Sequence, residues 1–534
     1  MQENRAAARS CSEPGAPRLP PSGAARILTE VPPTPIHAMD SPSATSPPTP
    51  TRPGRRLGTG AALLAAAVLL LALASAGGAS AAGTDVAFRI EGHGWGHGIG
   101  LSQWGAYGYA KHGWEYQAIL KHYYTGIDFA QVPDDAVRVR LASGLSSVKV
   151  SCAQDFTAAG GGGSLAIARG QVAVVTSAGT GFKVTGGGQS QTFTSPVTFT
   201  PSKGALDIMT PTDLGDTGTY RGILRVVRED GKLMMVNVVP LESYLRGVVP
   251  HEVPPSWPIE ALKAQACAAR AFVLGSRKPN EAWDVYCDVR SQAYVGVGIE
   301  DPSTDRAVRE TAGVVPVYGG KPILAVYFSC SGGHTESIQF GWPGSSAIPY
   351  LKGVDDPYDT YASLHDWGPL RRTAAEVAKP LGVGGTLRAV YALKRGTSPR
   401  IVKAALIGSS GVKFMDGNEL RMKLGLKSTW AEFTSMSISP AARDHIGVPP
   451  DTSLTLKGRI YPALDEGATL RLYFNDGDAW RSREVTTTVE TEKLGSGYTA
   501  KYSAYSEGIS PALTTQYYFK SGKNVSPTTT ITVQ

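Results

Sequence analysis

The sequence is notable first for what it lacks. Its 534 residues include only five cysteines, 8% aromatic residues and 18% charged residues. The net charge is +7, yet no Lys/Arg run with interleaved aromatics occurs, which argues against a nucleic-acid partner. No internal repeat is apparent, and no Gly-x-Ser-x-Gly elbow marks a serine hydrolase. The Gly-rich stretch from Gly92 to Gly100 lacks the following βαβ unit and acidic ribose partner of a dinucleotide site. Nothing points to a soluble redox or nucleotide cofactor.

Residues 1–56 are rich in Pro, Ala, Ser, Thr and Arg and cannot bury a core. Arg52, Arg55 and Arg56 then precede an apolar run from Leu57 to about Ala76, followed by Ala79-Ser80-Ala81. This is the pattern of an export signal ending in a signal-peptidase site, with retention as a single membrane anchor as the alternative. Met39 is an alternative start that leaves a conventional basic leader. Export places Cys152, Cys267, Cys287 and Cys330 in an oxidising compartment, with three possible pairings; Cys11 precedes the apolar run. For an exported basic chain, teichoic acids or anionic headgroups are the natural polyanions.

The exported part reads as α+β, divided at 83–435 and 440–534. Within the first part, residues 88–127 form a Gly/His-rich element and helix. Residues 136–239 alternate as short strands, with a hairpin across Glu229-Asp230-Gly231-Lys232. Residues 240–433 mix helices (241–248, 259–276, 304–312, 373–380, 418–424) with strands (314–318, 322–328, 386–394, 400–406). After about residue 440 helix signals vanish, and short strands predict an all-β, immunoglobulin-like sandwich.

Glu252 stands out within Pro250-His251-Glu252-Val253-Pro254-Pro255-Ser256-Trp257-Pro258. Pro254 and Pro255 forbid a regular helix and push Val253 into an extended conformation. Beyond them Ser256 is placed to cap, Pro258 suits a first turn, and Glu260 complements the helix dipole. Ile259, Leu262, Ala266, Ala269 and Val273 recur at helical spacing, so the helix has a face to bury. A carboxylate on rigid backbone at a helix mouth suits a catalytic acid. The plainer reading is an ion pair with Arg246 or Arg270.

Ser329-Cys330-Ser331-Gly332-Gly333-His334-Thr335 is read as a loop at the end of an apolar strand, offering N–H groups and hydroxyls to a sugar or an oxyanion. Ser331 or Cys330 with His334 would make a nucleophile and base, but nothing fixes a third member. Cys330 and His334 are alternatively two zinc ligands, with Cys287 or His251 available to join them and a disulfide as the competing fate of Cys330. His93 and His97 have zincin-like spacing, but glycine at every second position precludes a stable helix. Those glycines instead let the backbone pack closely or approach a ligand.

Four stretches taken together resemble the SpoIID/LytB (stage II sporulation protein D) family of bacterial cell-wall proteins. They are Tyr220-Arg221-Gly222 with Val238 to Glu252; Ala261 to Ala266 with Ala268-Ala269-Arg270; Tyr327 to Thr335; and Gly94 to Ala106. The resemblance spans about residues 88–435. Its Gly-His-Gly-x-Gly-x-Ser-Gln element normally closes the domain and here precedes it, as a circular permutation would arrange it. Cys330 stands where Ser is common. The resemblance implies lytic cleavage of peptidoglycan glycan strands, with members acting on strands stripped of stem peptides and others described as amidase enhancers. It places the catalytic acid on Glu252, whose pKa partial burial against Val253 or Trp257 would raise. Gln265, Arg270, Ser329, Ser331, His97 and Gln103 are the candidates for holding substrate, and Trp104, Tyr107 and Trp342 for stacking. No cofactor is required, and zinc on Cys330 and His334 is the one candidate. The expected partners are glycan strands and a cell-wall amidase, with membrane contact only through the N-terminal apolar segment and an extracytoplasmic location.

Overall fold

A computed structural model describes residues 83–534. The tail, the apolar run, Cys11, Met39 and Ala79-Ser80-Ala81 lie outside the described residues. The described chain is α+β and strand-rich.

Two antiparallel sheets dominate residues 136–240. One runs Ala136–Leu145, Lys232–Pro240, Ile223–Glu229, Val197–Pro201, Phe156–Gly160, Gly163–Ile167, with Val285–Tyr286 on its outer edge. The other contains Gln189–Phe193, Gly181–Gly186, Ala173–Ala178, Ser147–Ser151, Ala205–Ile208 and Gly218–Arg221. Their alternating apolar residues, such as Val137, Val139, Val148, Val150, Val175 and Val184, meet in one core. The expected hairpin is present: Glu229 faces Lys232 across Asp230 and Gly231, both at positive φ (49° and 75°). Paired positive φ values give the turn whose twist matches the strands, which is why an Asp-Gly pair serves.

The helix Ile259–Gly275 is the hinge of the packing. Leu262, Ala266, Ala269 and Val273 face the sheets as the spacing predicts. Ala264, Cys267, Ala268 and Ala271 face a second core with Ile119, Leu120 and Tyr123 of the helix Tyr116–Tyr123. Small alanines let partners approach on both sides, so this helix is buried nearly all round.

A third sheet places Asp85–His93 between Asp366–Thr373 and Ala431–Ile438, then continues through Leu454–Tyr461, Tyr498–Ile509 and Thr487–Gly495. One face of its core end is covered by the helices Ala374–Leu381 and Gly417–Leu424. The last segment has no α-helix beyond Leu424, as expected, but it is not sealed off at residue 440. One of its two sheets is this shared one, and Met436 and Ile438 join its core with Leu456, Leu472, Tyr505 and Phe519. Sheet continuity replaces the isolated sandwich because Ser435 and Met436 pair with Tyr461 and Ile460. The expected strand over 322–328 is also corrected. Only Lys321–Pro322 and Tyr327–Phe328 pair, while Ile323, Ala325 and Val326 are buried without a ladder. Among the described residues, no helix is long and apolar enough to cross a membrane.

Candidate active site

Glu252 ends the short helix Val249–Glu252. Val253 is extended (φ −138°, ψ 146°), and the Trp257 N–H closes the following turn on the Pro254 carbonyl at 3.0 Å. The long helix starts after Pro258, which has no side-chain cap, so Ser256 does not cap it and is exposed. Glu260 occupies the first turn as expected. It also pairs with Lys263 at 2.8 Å and accepts from the Tyr116 N–H at 2.9 Å, tying the N-terminal helices to this one. The arginines offered as partners of Glu252 are committed elsewhere. Arg246 pairs with Glu300 and Asp305, and Arg270 with Glu242.

The half-buried Glu252 carboxylate instead accepts from the Tyr327 hydroxyl. Gln292 fixes that direction: its Nε2 donates to the Tyr327 oxygen at 3.0 Å while its Oε1 accepts from the Tyr244 hydroxyl at 3.0 Å. With its oxygen occupied from one side, Tyr327 turns its proton toward Glu252. Burial, then the charge of Glu252, raises both phenols well above their usual range. Residue spacing missed Gln292 and Tyr244. Tyr327 carried a signal, standing two residues before Ser329 in a motif already singled out.

The Gly-rich element reaches the same place. Leu101–Ser102 pairs in parallel with Tyr327–Phe328, and Ser102 caps the helix Gln103–Lys111 by accepting from the Gly105 N–H at 3.1 Å. Gln103 Nε2 thereby reaches the Glu252 carbonyl at 3.3 Å and Gln265 Oε1 at 3.5 Å. Gln265 is 1% exposed, and its own Nε2 has no hydrogen-bond partner. Beside them Trp257 packs on Trp104 (4.9 Å between centroids) and Tyr107 (5.2 Å), with Tyr107 next to the exposed Tyr361 (5.3 Å). Glu252, Gln103, Gln265 and this aromatic wall therefore stand together.

Other candidates are drawn elsewhere. Arg270 is fully buried, with Nε and Nη2 on Glu242 and Nη1 on the Val314 carbonyl, so its donors hold the interior rather than a ligand. Ser331 is also fully buried; its Oγ donates to Asp359 at 2.8 Å, and His365 bonds the other oxygen of Asp359 at 2.6 Å. The carboxylate lies between the hydroxyl and the imidazole, an order that leaves no base on Ser331. Ser329 is half-buried and gives its carbonyl to the Trp104 N–H at 3.0 Å. His97 accepts from the Ile99 N–H at 3.0 Å and lies beside Phe328 and Trp342.

The alternate glycines explain why the element lies so close to this loop. Gly94, Gly96, Gly98 and Gly100 all have positive φ. A Cβ on Gly94 would sit 2.6 Å from the Ser331 carbonyl oxygen, and one on Gly100 2.3 Å from that of Val326. From the far side, fully buried Arg400 donates to the Ser331 and His334 carbonyls, each at 2.6 Å. Burial lowers its pKa to about 10.

Zinc does not fit this arrangement. Burial pushes the Cys330 thiol up to about 12, opposing the thiolate a metal needs, and His334 Nδ1 lies 2.5 Å from the Thr335 carbonyl. Among the described residues, no cluster of three His, Cys, Asp or Glu side chains could hold a metal. Cys152, Cys267, Cys287 and Cys330 are all buried and free.

A carboxylate on a Pro-locked arm, met by a Gly-His-Gly element and packed on an alanine-rich helix, makes up the candidate site. Residues 229–318, which include Glu252, Gln265 and Gln292, match the family model described as stage II sporulation protein. The chain is 33% identical over 212 residues to stage II sporulation protein D of Bacillus subtilis (strain 168), covering 36% of this chain and 60% of that protein. The same protein of Bacillus amyloliquefaciens is 33% identical over 213 residues, with the same coverage. An amidase enhancer of B. subtilis (strain 168) is 40% identical over 118 residues, 22% of this chain and 15% of the relative. The family model and these relatives support the resemblance of the chain to the SpoIID/LytB family. It spans less than two thirds of the length of these curated relatives.

Proposed function

We propose that this protein is an extracytoplasmic cell-wall enzyme that cleaves peptidoglycan glycan strands as a lytic transglycosylase, with Glu252 as its single acid/base. The observation that carries the reading is the setting of Glu252: rigid backbone, a Tyr327 hydroxyl on the carboxylate, amides from Gln103 and Gln265 beside it, and an aromatic wall next to them. The protonated Glu252 donates to the glycosidic oxygen as the C1–O bond breaks and positive charge develops on the sugar ring. The muramoyl C6 hydroxyl then attacks C1, and its proton passes to the Glu252 carboxylate. The products are a free hydroxyl on the leaving strand and a 1,6-anhydro end, with no water consumed. An intramolecular nucleophile removes the need for a second carboxylate to activate water. Tyr327 steadies the charged half of the cycle by donating to the carboxylate, while Trp104, Tyr107 and Trp257 offer stacking surface to the sugars.

Peptide-stripped strands are the preferred substrate in this reading, since loss of the stem peptide removes the bulk that would hold the glycan away from a half-buried carboxylate. The N-terminal apolar run delivers the protein across the membrane or anchors it there. The second reading, a non-catalytic enhancer of a wall amidase, is favoured by the identity to the amidase enhancer. Mass spectrometry of products from intact and peptide-stripped strands separates the two. Anhydromuramoyl ends made by the parent and not by Glu252→Gln establish the enzyme. Uncut strands that still bind the protein turn the reading to a binding or amidase-enhancer role.

A further inference from the structure

The outer face of the C-terminal sheet carries a feature that the site around Glu252 does not use. In the strands Leu470–Asn475 and Thr515–Ser521, Leu472, Tyr517 and Phe519 point into the core. Alternation sends Arg471, Tyr473, Gln516, Tyr518 and Lys520 to the other side. Tyr473 faces Tyr518 in register, and their rings are parallel within 2° at 5.0 Å. Trp480, 45% exposed, packs edge-on against Tyr518 at 4.8 Å. Two residues along, Arg471 stands directly opposite Lys520. Like charges placed opposite one another across a sheet are destabilising. Arg471 reaches only Ser482, although Glu484 lies across from it on the third strand. Lys520 lies 5.9 Å from the Tyr473 ring.

We propose that this face is a second carbohydrate-binding surface, which takes an acidic glycan by stacking sugar rings on Tyr473, Tyr518 and Trp480 and pairing its carboxylates with Arg471 and Lys520. The choice of occupant follows from the two chemistries side by side. Partly exposed rings supply apolar faces for the C–H side of a sugar. Two cations facing each other beside them, with Glu484 on the far side of Arg471, favour added negative charge, and the like-charge cost falls when a carboxylate lies between them. A peptide-stripped glycan strand, whose lactyl carboxylates are bare, has both features. The identity of the strand rests on the function proposed above; the preference for an acidic sugar polymer rests on the sheet alone. Two sites on one chain hold a strand near Glu252 at a raised effective concentration.

The test uses residues 83–534 carrying Glu252→Gln, so that strands persist, with retention on immobilised peptide-stripped glycan as the readout. Trp480→Ala and Lys520→Glu are each expected to weaken retention at least tenfold while leaving the thermal midpoint unchanged. Lys520→Glu is also expected to reduce the salt dependence of binding. Equal retention of both folded variants, or no retention of the parent, overturns the inference. So does binding to poly(glycerol phosphate) that needs Lys520 and not Trp480, since that marks a polyanion surface rather than a sugar site. Cleavage by the chain with Glu252 intact is scored separately. Trp480-dependent retention without cleavage keeps this surface and removes the transglycosylase, and cleavage with Trp480-independent retention does the reverse.

Discussion

The arm that carries Glu252 and the loop Ser329–Thr335 meet in the fold, yet they hold their side chains by different means. The arm is fixed by proline and by neutral hydrogen bonds, and its carboxylate stays half-open beside Tyr327. The loop is locked by buried charge: Asp359 grips Ser331 and the Gly332 N–H, and Arg400 grips two carbonyls. Both contain residues that chemistry could use. Glu252 stays half-exposed, whereas Cys330 and Ser331 of the loop are fully buried. The difference teaches that a serine, cysteine and histidine close in sequence are poor guides to reactivity when their polar atoms are already paired inside.

The contrast can be broken or sharpened by substitution. The largest effect belongs to the arm: Glu252→Gln is expected to lower glycan cleavage by about 10²–10⁴-fold with an unchanged unfolding midpoint. A matching loss of stability would make Glu252 a structural residue like those of the loop. On the loop side, Arg400→Met leaves two buried carbonyls without their donor and removes the positive charge near Glu336, with an expected cost of about 2–5 kcal/mol in denaturant unfolding. Tyr327→Phe removes the hydrogen bond to Glu252, worth about 1.5–3 kcal/mol, and the one from Gln292, so activity should fall about tenfold to a hundredfold with a smaller loss of stability.

The smallest effect concerns Asp356, which accepts from the Tyr123 hydroxyl at 2.7 Å behind the loop. Burial first, and then Asp359, push its carboxyl up to about 7. A carboxyl raised in the folded state binds its proton more tightly there than in the unfolded chain. Stability should therefore decline as pH rises from the usual carboxylate range toward 7, and level off above it. Asp356→Asn keeps an acceptor for Tyr123 and should flatten that decline, as unfolding midpoints at pH 5 and 7.5 would register.

Local rules were the most readable part of the chain. The Asp230-Gly231 turn, the extended Val253 and the apolar face of Ile259–Gly275 each follow from residues a few positions apart. What the sequence hid was which distant group takes each donor. Arg270 looked available because Glu242, its partner, lies 28 residues upstream. Ser256 looked like a cap because nothing local says that Pro258 opens the helix instead. Gln292 and Tyr244 carry no spacing signal, since their roles arise only when a turn and a helix close on Tyr327. Gln103 was legible through its motif, and the fold brings it to Glu252 across 149 residues.

The first described strand has a consequence for how the chain matures. Asp85–His93 lies in the middle of its sheet, with Ala87 opposite both Thr373 and Met436. It emerges early in synthesis and cannot complete its ladder until the chain has been made past residue 431. Pairings of such long range are late and slow to form. The core therefore closes last at its own beginning, and through most of synthesis the chain carries an unpaired, aggregation-exposed strand. A chaperone that masks this one segment would delay closure of the third sheet.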